Sequence, residues 1–99
     1  MADYHLVELA TGSAWDHARG RREQSGWDAH AEFMDALVDD GFVVLGGPTG
    51  EDEAGNAVLV VDAADEPEVH RRLGADPWVA DGHLRIESVR AWSVWLRGE

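Results

Sequence analysis

His30 and Asp76 are two ionisable side chains on helix faces that are otherwise apolar, and residues of these types can do acid–base chemistry. His30 shares its side of a predicted helix with apolar residues three and four positions apart, which are Phe33, Met34, Leu37 and Val38. Asp76 lies three residues beyond Leu73, on the inner face predicted for a second helix. A core imidazole needs a hydrogen-bond partner, so we expect His30 and Asp76 to meet at the helix ends.

The predicted His30–Asp76 pair would suit proton transfer. A carboxylate that accepts from one ring nitrogen fixes the tautomer and leaves the other nitrogen free as an acid or a base. This is the chemistry of a lyase or isomerase acting on a small organic molecule. Two structural interpretations stay open beside it: the two side chains satisfy only each other, or Asp76 caps the turn before Pro77.

A loop rich in Trp and Arg precedes the His30 helix and is a candidate lid. Guanidinium groups on such a lid would bind a substrate carboxylate. The candidate substrate-binding residues, for a small anionic or aromatic molecule, are Trp15, Arg19 and Arg22 of this loop and Trp78 after Asp76. The alternatives are a solvated loop with weak ion pairs and an indole in the ordinary core.

The remaining histidines lack the spacing of a metal site. His5, His17, His70 and His83 form no His-x-His or His-x-x-x-His pair, and the chain has no cysteine. The sequence also has no phosphate-binding glycine loop and no dinucleotide fingerprint. We therefore predict neither a metal nor a cofactor.

The elements that must position these side chains follow from hydrophobic patterning and turn residues. Four apolar segments are typical of strands, namely Tyr4–Leu9, Phe42–Leu45, Ala57–Ala63 and His83–Leu96. A polar loop covers residues 10–24, and an acidic loop covers residues 51–56. The two predicted helices are Ser25–Gly41 and Asp65–Asp76.

Several local signals define the ends of these elements. Ser25 and Asp28 would form a capping box, and Gly41 would end that helix in a left-handed conformation. Asp65 would cap the second helix. The Gly46-Gly47-Pro48 triplet would stop the second strand. In the last strand, the alternation of apolar and polar residues is interrupted near Ser88, which is typical of a bulge.

The order strand, helix, strand, strand, helix, strand predicts a single α+β domain over residues 1–99. It is a ferredoxin-like βαββαβ fold, with an antiparallel four-stranded sheet and two helices on one face. The second and third strands are apolar on both faces, so the uncovered face should meet a second copy of the sheet. We therefore expect a homodimer with sheets packed face to face.

Composition and charge exclude some partners. The net charge of −12, from 20 acidic residues against eight Arg, would repel nucleic acid and anionic membranes. No segment has the length of a membrane span or the pattern of a signal peptide. We expect a soluble, cytoplasmic protein.

An ordered set of motifs extends over nearly the whole chain: Trp27-Asp28-Ala29-His30-Ala31-Glu32-Phe33-Met34, Gly41, Gly47-Pro48, Asp76-Pro77-Trp78, Gly82 and Trp92. This set resembles the YCII-related family of small dimeric α/β-barrel proteins. The resemblance implies that His30 and Asp76 are the family's His–Asp pair at an active site, and that the assembly is a dimer. The loop from Thr11 to Gln24 has no counterpart in the resemblance.

Two function classes remain open at this stage. One is a cofactor-independent enzyme of the lyase or isomerase type, in which His30 is oriented by Asp76. The other is a non-catalytic dimeric module that binds a ligand or assists another protein, because one fold hosts many functions.

Overall fold

The chain, described by a computed structural model over residues 3–51 and 54–98, contains four strands and three helices. The strands are β1 Tyr4–Thr11, β2 Val43–Pro48, β3 Ala57–Asp62 and β4 Leu84–Ala91. The helices are α1 Trp27–Asp39, α2 Glu66–Leu73 and α3 Pro77–Asp81, and a short 3₁₀ turn covers Arg21–Glu23. Residues 52 and 53 of the predicted acidic loop lie outside the described residues.

The four strands form one antiparallel sheet in the order β2-β3-β1-β4, which confirms the predicted ferredoxin-like fold. Alternate residues of β1 and β3 point toward the helices, because side chains alternate across a strand. Val7, Leu9, Leu59 and Val61 pack there against Leu37, Val69, Leu73 and Trp78. No helix within residues 3–51 and 54–98 is long and apolar enough to cross a membrane.

The start of α1 differs from the predicted capping box. The helix begins at Trp27, after Gly26 in a left-handed conformation with φ 83°, and no side chain caps it. The Ser25 carbonyl instead accepts a hydrogen bond from the indole Nε1 of Trp78 at 2.8 Å. The capping-box prediction was therefore wrong, because a tertiary contact fixes the backbone at Ser25. The predicted left-handed Gly41 is present, with φ 85°.

Strand β2 continues through the triplet that was predicted to stop it. Gly46, Gly47 and Pro48 pair with Leu59, Val58 and Ala57 of β3. The triplet is tolerated because β2 is an edge strand, where a proline costs no hydrogen bond to a second neighbour. The register shifts between Val43 and Leu45, so Val44 is an extra residue in the ladder.

The second helix is capped as predicted but is shorter, and a third helix follows it. Asp65 accepts from the backbone N–H of Glu68 at 2.9 Å, and α2 ends at Leu73. Asp76 then caps α3, which the sequence analysis missed because a five-residue helix has too few turns for a periodic pattern.

Strand β4 covers only the middle of the predicted segment. It ends at Ala91. The register of β4 against β1 shifts between Glu8 and Leu9, which leaves Glu87 without a partner next to Ser88, where the bulge was predicted. The residues after Trp92 leave the sheet, and we call residues 92–98 the C-terminal arm. Its largest apolar side chains are exposed, with Trp92 at 44%, Trp95 at 90% and Leu96 at 93%.

Candidate active site

The structure brings His30 and Asp76 into direct contact. His30 Nδ1 lies 2.9 Å from Oδ1 and 2.8 Å from Oδ2 of Asp76, and both side chains are buried. His30 is in the first turns of α1, whereas Asp76 is the residue before α3. The contact therefore joins two elements that are 46 residues apart in sequence.

Asp76 holds both the imidazole and the start of α3. Its Oδ1 also accepts from the backbone N–H of Trp78 at 3.0 Å. The carboxylate accepts only, so His30 Nδ1 carries the hydrogen that it shares with Asp76. Asp76 is thus at once the hydrogen-bond partner of His30 and the cap of the local turn.

The second ring nitrogen of His30 remains available. Nε2 makes no hydrogen bond to a described residue. The buried polar atoms without a partner are His5 Nδ1 and Trp15 Nε1, and His30 Nε2 is not one of them. Nε2 therefore keeps contact with solvent. In the neutral ring it is an acceptor with a free lone pair, which is the state of a general base.

Trp78 lies behind the imidazole. Its ring is fully buried and stacks on His30, with centroids 4.1 Å apart and planes 11° apart. Its Nε1 is bonded to the carbonyl of Ser25, so the indole cannot rotate without losing that hydrogen bond. His83 stacks on the same indole at 5.6 Å. Trp78 fixes the plane of His30 and does not line the cavity next to it.

A groove of about 490 Å³ lies between α1 and β2, and His30 forms part of its wall. Leu9, Leu59 and Leu84 come from the sheet, and the described lining residues with charged side chains include Arg21, Arg22 and Asp35. The size falls within the usual range for small-molecule pockets, roughly 300–1,000 Å³. Val38, predicted on the buried stripe of α1, lines this groove and is 53% exposed.

The predicted substrate-binding residues separate into two groups. Arg22 lines the groove, and its guanidinium lies 5.5 Å from the ring centroid of Trp27. Arg19 lies outside the lining and forms an exposed ion pair with Asp16 at 3.5 Å. Trp15 is buried and packs edge-on against Trp78 at 5.4 Å, so it supports the site from the core side.

Two lining residues were absent from the sequence-based set of candidates. Trp27 precedes His30 by three positions, so helical periodicity could have placed it on the same face. Arg21 lies in the same Arg-rich loop as Arg19 and Arg22 but was not among the predicted residues. It is buried, with its guanidinium 5.7 Å from the ring centroid of Trp15. That position depends on the 3₁₀ turn packing against the core, which has no sequence pattern.

The site has the parts for acid–base chemistry on a small molecule. Within residues 3–51 and 54–98, no three His, Cys, Asp or Glu side chains are grouped so that they could hold a metal ion. An imidazole that is held at one nitrogen by a carboxylate can act as a general acid or base through the other nitrogen.

Comparisons with known proteins agree with this architecture. A family model described as the YCII-related domain matches residues 8–93. A solved structure, 5-chloro-2-hydroxyhydroquinone dehydrochlorinase from Burkholderia phenoliruptrix AC1100 in complex with 2,5-dihydroxybenzoquinone, is similar with a TM-score of 0.53. It is 20% identical, and the similarity covers 95% of each chain. No match was found among curated proteins.

Proposed function

Because the chain belongs to the YCII-related family, we propose that it is a small-molecule enzyme in which His30, oriented by Asp76, transfers a proton on a substrate bound between α1 and β2. The reaction class is that of a lyase or an isomerase, without a cofactor. The observation that carries the proposal is the asymmetry of His30: Nδ1 is held by a buried carboxylate at 2.8 Å, while Nε2 keeps contact with solvent.

The proton transfer follows from this asymmetry. Nε2 removes a proton from a carbon or oxygen of the substrate, and the ring becomes an imidazolium. The Asp76 carboxylate stabilises that cation through a charge-assisted hydrogen bond to Nδ1. In an isomerase the proton returns to another substrate atom, and in a lyase the released electron pair expels a leaving group on the neighbouring atom.

The groove favours a flat substrate with an anionic group. Its leucine side chains and Trp27 offer apolar surface, whereas Arg21 and Arg22 place positive charge on one side of it. The similar dehydrochlorinase structure contains a small aromatic-derived ring, 2,5-dihydroxybenzoquinone, which supports the choice of this compound as a first probe.

A homodimer formed through the uncovered sheet face is part of the same proposal. Leu6 and Val58 lie on that face, opposite the helices, and Leu45 on the same face is 64% exposed. A second copy of the sheet would remove this surface from water.

The test uses 2,5-dihydroxybenzoquinone with the wild-type chain and with His30→Gln. We expect the probe to raise the thermal midpoint of the wild type and not that of His30→Gln. We also expect the wild type to speed deuterium exchange of the probe's ring hydrogens in D₂O, measured by NMR. His70→Gln, which changes an exposed histidine on α2, is the matched control.

Two results would reject the enzyme. If the wild type and His30→Gln exchange the ring hydrogens at the same rate, His30 moves no proton. If the probe stabilises both variants equally and neither speeds the exchange, the chain is the non-catalytic binding module.

A further inference from the structure

The loop between β1 and α1 has a buried side-chain amide inside it. Within residues 16–24, all of which the structure describes, the buried side chains are Arg21 and Gln24, and neither is apolar. Gln24 is only 4% exposed. A loop without apolar side chains in its interior keeps one conformation only if hydrogen bonds hold its polar groups. The contacts of Gln24 therefore decide how firmly this loop is held.

The Gln24 amide uses both of its ends inside the loop. Oε1 accepts from the backbone N–H of Asp16 at 2.9 Å. Nε2 donates to the carbonyls of Asp16 at 2.7 Å and Arg19 at 3.0 Å, with the carbonyl of Gly20 at 3.5 Å. The two ends of the amide cannot be exchanged, because the Asp16 N–H needs an acceptor and the carbonyls need donors. One buried side chain thus folds residues 16–24 back on themselves.

The turn that carries the groove arginines lies between these contacts. The 3₁₀ turn Arg21–Glu23 ends at Gln24, whose backbone N–H donates to the Arg21 carbonyl at 3.3 Å. Arg21 and Arg22 of this turn line the groove together with His30. Because the Gln24 amide also binds the chain just before the turn, it fixes the backbone from which both arginine side chains extend.

Both ends of this loop are bound at α3. Near its start, the N–H of Ala14 donates to the carbonyl of Gly82, the residue after α3, at 3.0 Å. At its end, the carbonyl of Ser25 accepts from Nε1 of Trp78 at 2.8 Å. A lid movement of the whole loop would break these hydrogen bonds together with those of the Gln24 amide. The contacts therefore oppose such a movement.

We propose that Gln24 is a positioning residue for the His30 groove. Its buried amide locks residues 16–24 into a fixed wall, which holds Arg21 and Arg22 beside the groove and does not open as a lid. The inference rests on the proposed function for the identity of the groove as an active site. It adds that the site is preorganised, so that substrate binding does not have to order the loop.

Limited proteolysis with trypsin tests the lock and needs no ligand. The chain has eight Arg and no Lys, so trypsin cleaves only after arginine. The Arg19–Gly20 bond lies in the loop, and the Arg97–Gly98 bond joins the same two residue types in the exposed C-terminal arm. We expect Gln24→Met to speed cleavage in the loop by about tenfold or more and to leave cleavage in the arm unchanged, because the open loop becomes more populated.

Glu23→Met is the matched control, because it changes an exposed side chain next to Gln24 and should leave both cleavage rates unchanged. The bond between Arg85 and Ile86, inside β4, reports unfolding of the whole chain. Equal cleavage at Arg19–Gly20 in Gln24→Met and the wild type would overturn the inference. An equal increase after Arg85 would also overturn it, because Gln24 would then support the whole fold rather than the loop.

Probe binding separates positioning from a purely structural role. For 2,5-dihydroxybenzoquinone, we expect Gln24→Met to raise the dissociation constant about tenfold and to change the exchange rate at saturating probe by less than about twofold, since His30 and Asp76 are untouched. In the double variant with Arg22→Met, the combined loss should be smaller than the product of the two separate losses, because Gln24 acts through the arginine.

The outcomes of the binding experiment are distinct. An unchanged dissociation constant in Gln24→Met would overturn the positioning role, because a purely structural amide alters only the stability of the loop. Independent effects of Gln24→Met and Arg22→Met would overturn it as well. If the wild type binds no probe, the proposed function fails, and the trypsin result still decides whether Gln24 locks the loop.

Discussion

The buried Asp76 carboxylate makes two structural contacts, and removing it should destabilise the fold through the loss of both. It accepts from His30 Nδ1 and caps α3 through the backbone N–H of Trp78. Asp76→Ala loses a cap and leaves a buried imidazole donor unpaired. We expect this variant to lower the free energy of unfolding by about 2–4 kcal/mol, measured by urea denaturation.

Asp65→Ala is the matched comparison for Asp76→Ala. Asp65 caps α2 by the same contact, to the N–H of Glu68, but its side chain is exposed and holds no second group. We expect a loss of only about 1 kcal/mol. Equal losses for the two variants would show that the bond to His30 contributes nothing to stability.

The sequence was informative about His30 and Asp76 because each is an ionisable exception on an apolar face. Such exceptions need a partner, and here each was the other's nearest candidate. It was less informative about the arginines. Arg19, Arg21 and Arg22 look equivalent in a polar loop, yet Arg19 is exposed and Arg21 is buried near Trp15. That difference is set by the packing of a 3₁₀ turn, which leaves no periodic pattern.

At the scale of the elements, strand and helix order followed from hydrophobic patterning, and the errors were at ends. Gly46-Gly47-Pro48 was predicted to stop β2, because a central strand cannot accommodate a proline. Strand β2 is an edge strand and accommodates the proline, but its position at the edge depends on the order of all four strands. Helix α3 was missed for a related reason: it is held by the Asp76 cap and by buried Trp78 rather than by periodicity.

Gly46 and Gly47 are neighbours in β2 that should respond differently to a side chain. A Cβ on Gly46 would overlap Leu59 Cδ2, whereas a Cβ on Gly47 would meet no atom of the described residues within 4 Å. We expect Gly46→Ala to lower the free energy of unfolding by about 1–2 kcal/mol through overpacking against Leu59. Gly47→Ala should change it by less than about 0.5 kcal/mol. Urea denaturation of both variants measures the difference, and equal losses of stability would contradict the predicted overpacking of Gly46→Ala against Leu59.

At the scale of the whole molecule, the helices cover one face of the sheet and leave the other face uncovered. Val60 is buried on that face, and Leu6 and Val58 beside it are half-buried. Polar groups occupy the β4 side, where Glu8 accepts from Ser88 and Arg90. The face is thus apolar toward β2 and polar toward β4. The β2 side is therefore the part of this face that a second copy would cover in the proposed dimer.

Leu45→Asp should separate the two copies without unfolding either. Leu45 is 64% exposed in the single chain, so the substitution costs its fold less than about 0.5 kcal/mol. In a dimer packed through the sheet face, the same change buries an unpaired carboxylate twice, because twofold symmetry repeats it. We expect sedimentation velocity at micromolar concentration to show a wild-type dimer of the 10.8 kDa chain and a Leu45→Asp monomer. Val38→Asp, 53% exposed on α1 and away from the sheet face, should remain dimeric. A wild-type monomer, or dissociation by both variants alike, would remove the face-to-face dimer and with it the reason for Leu45 to be exposed.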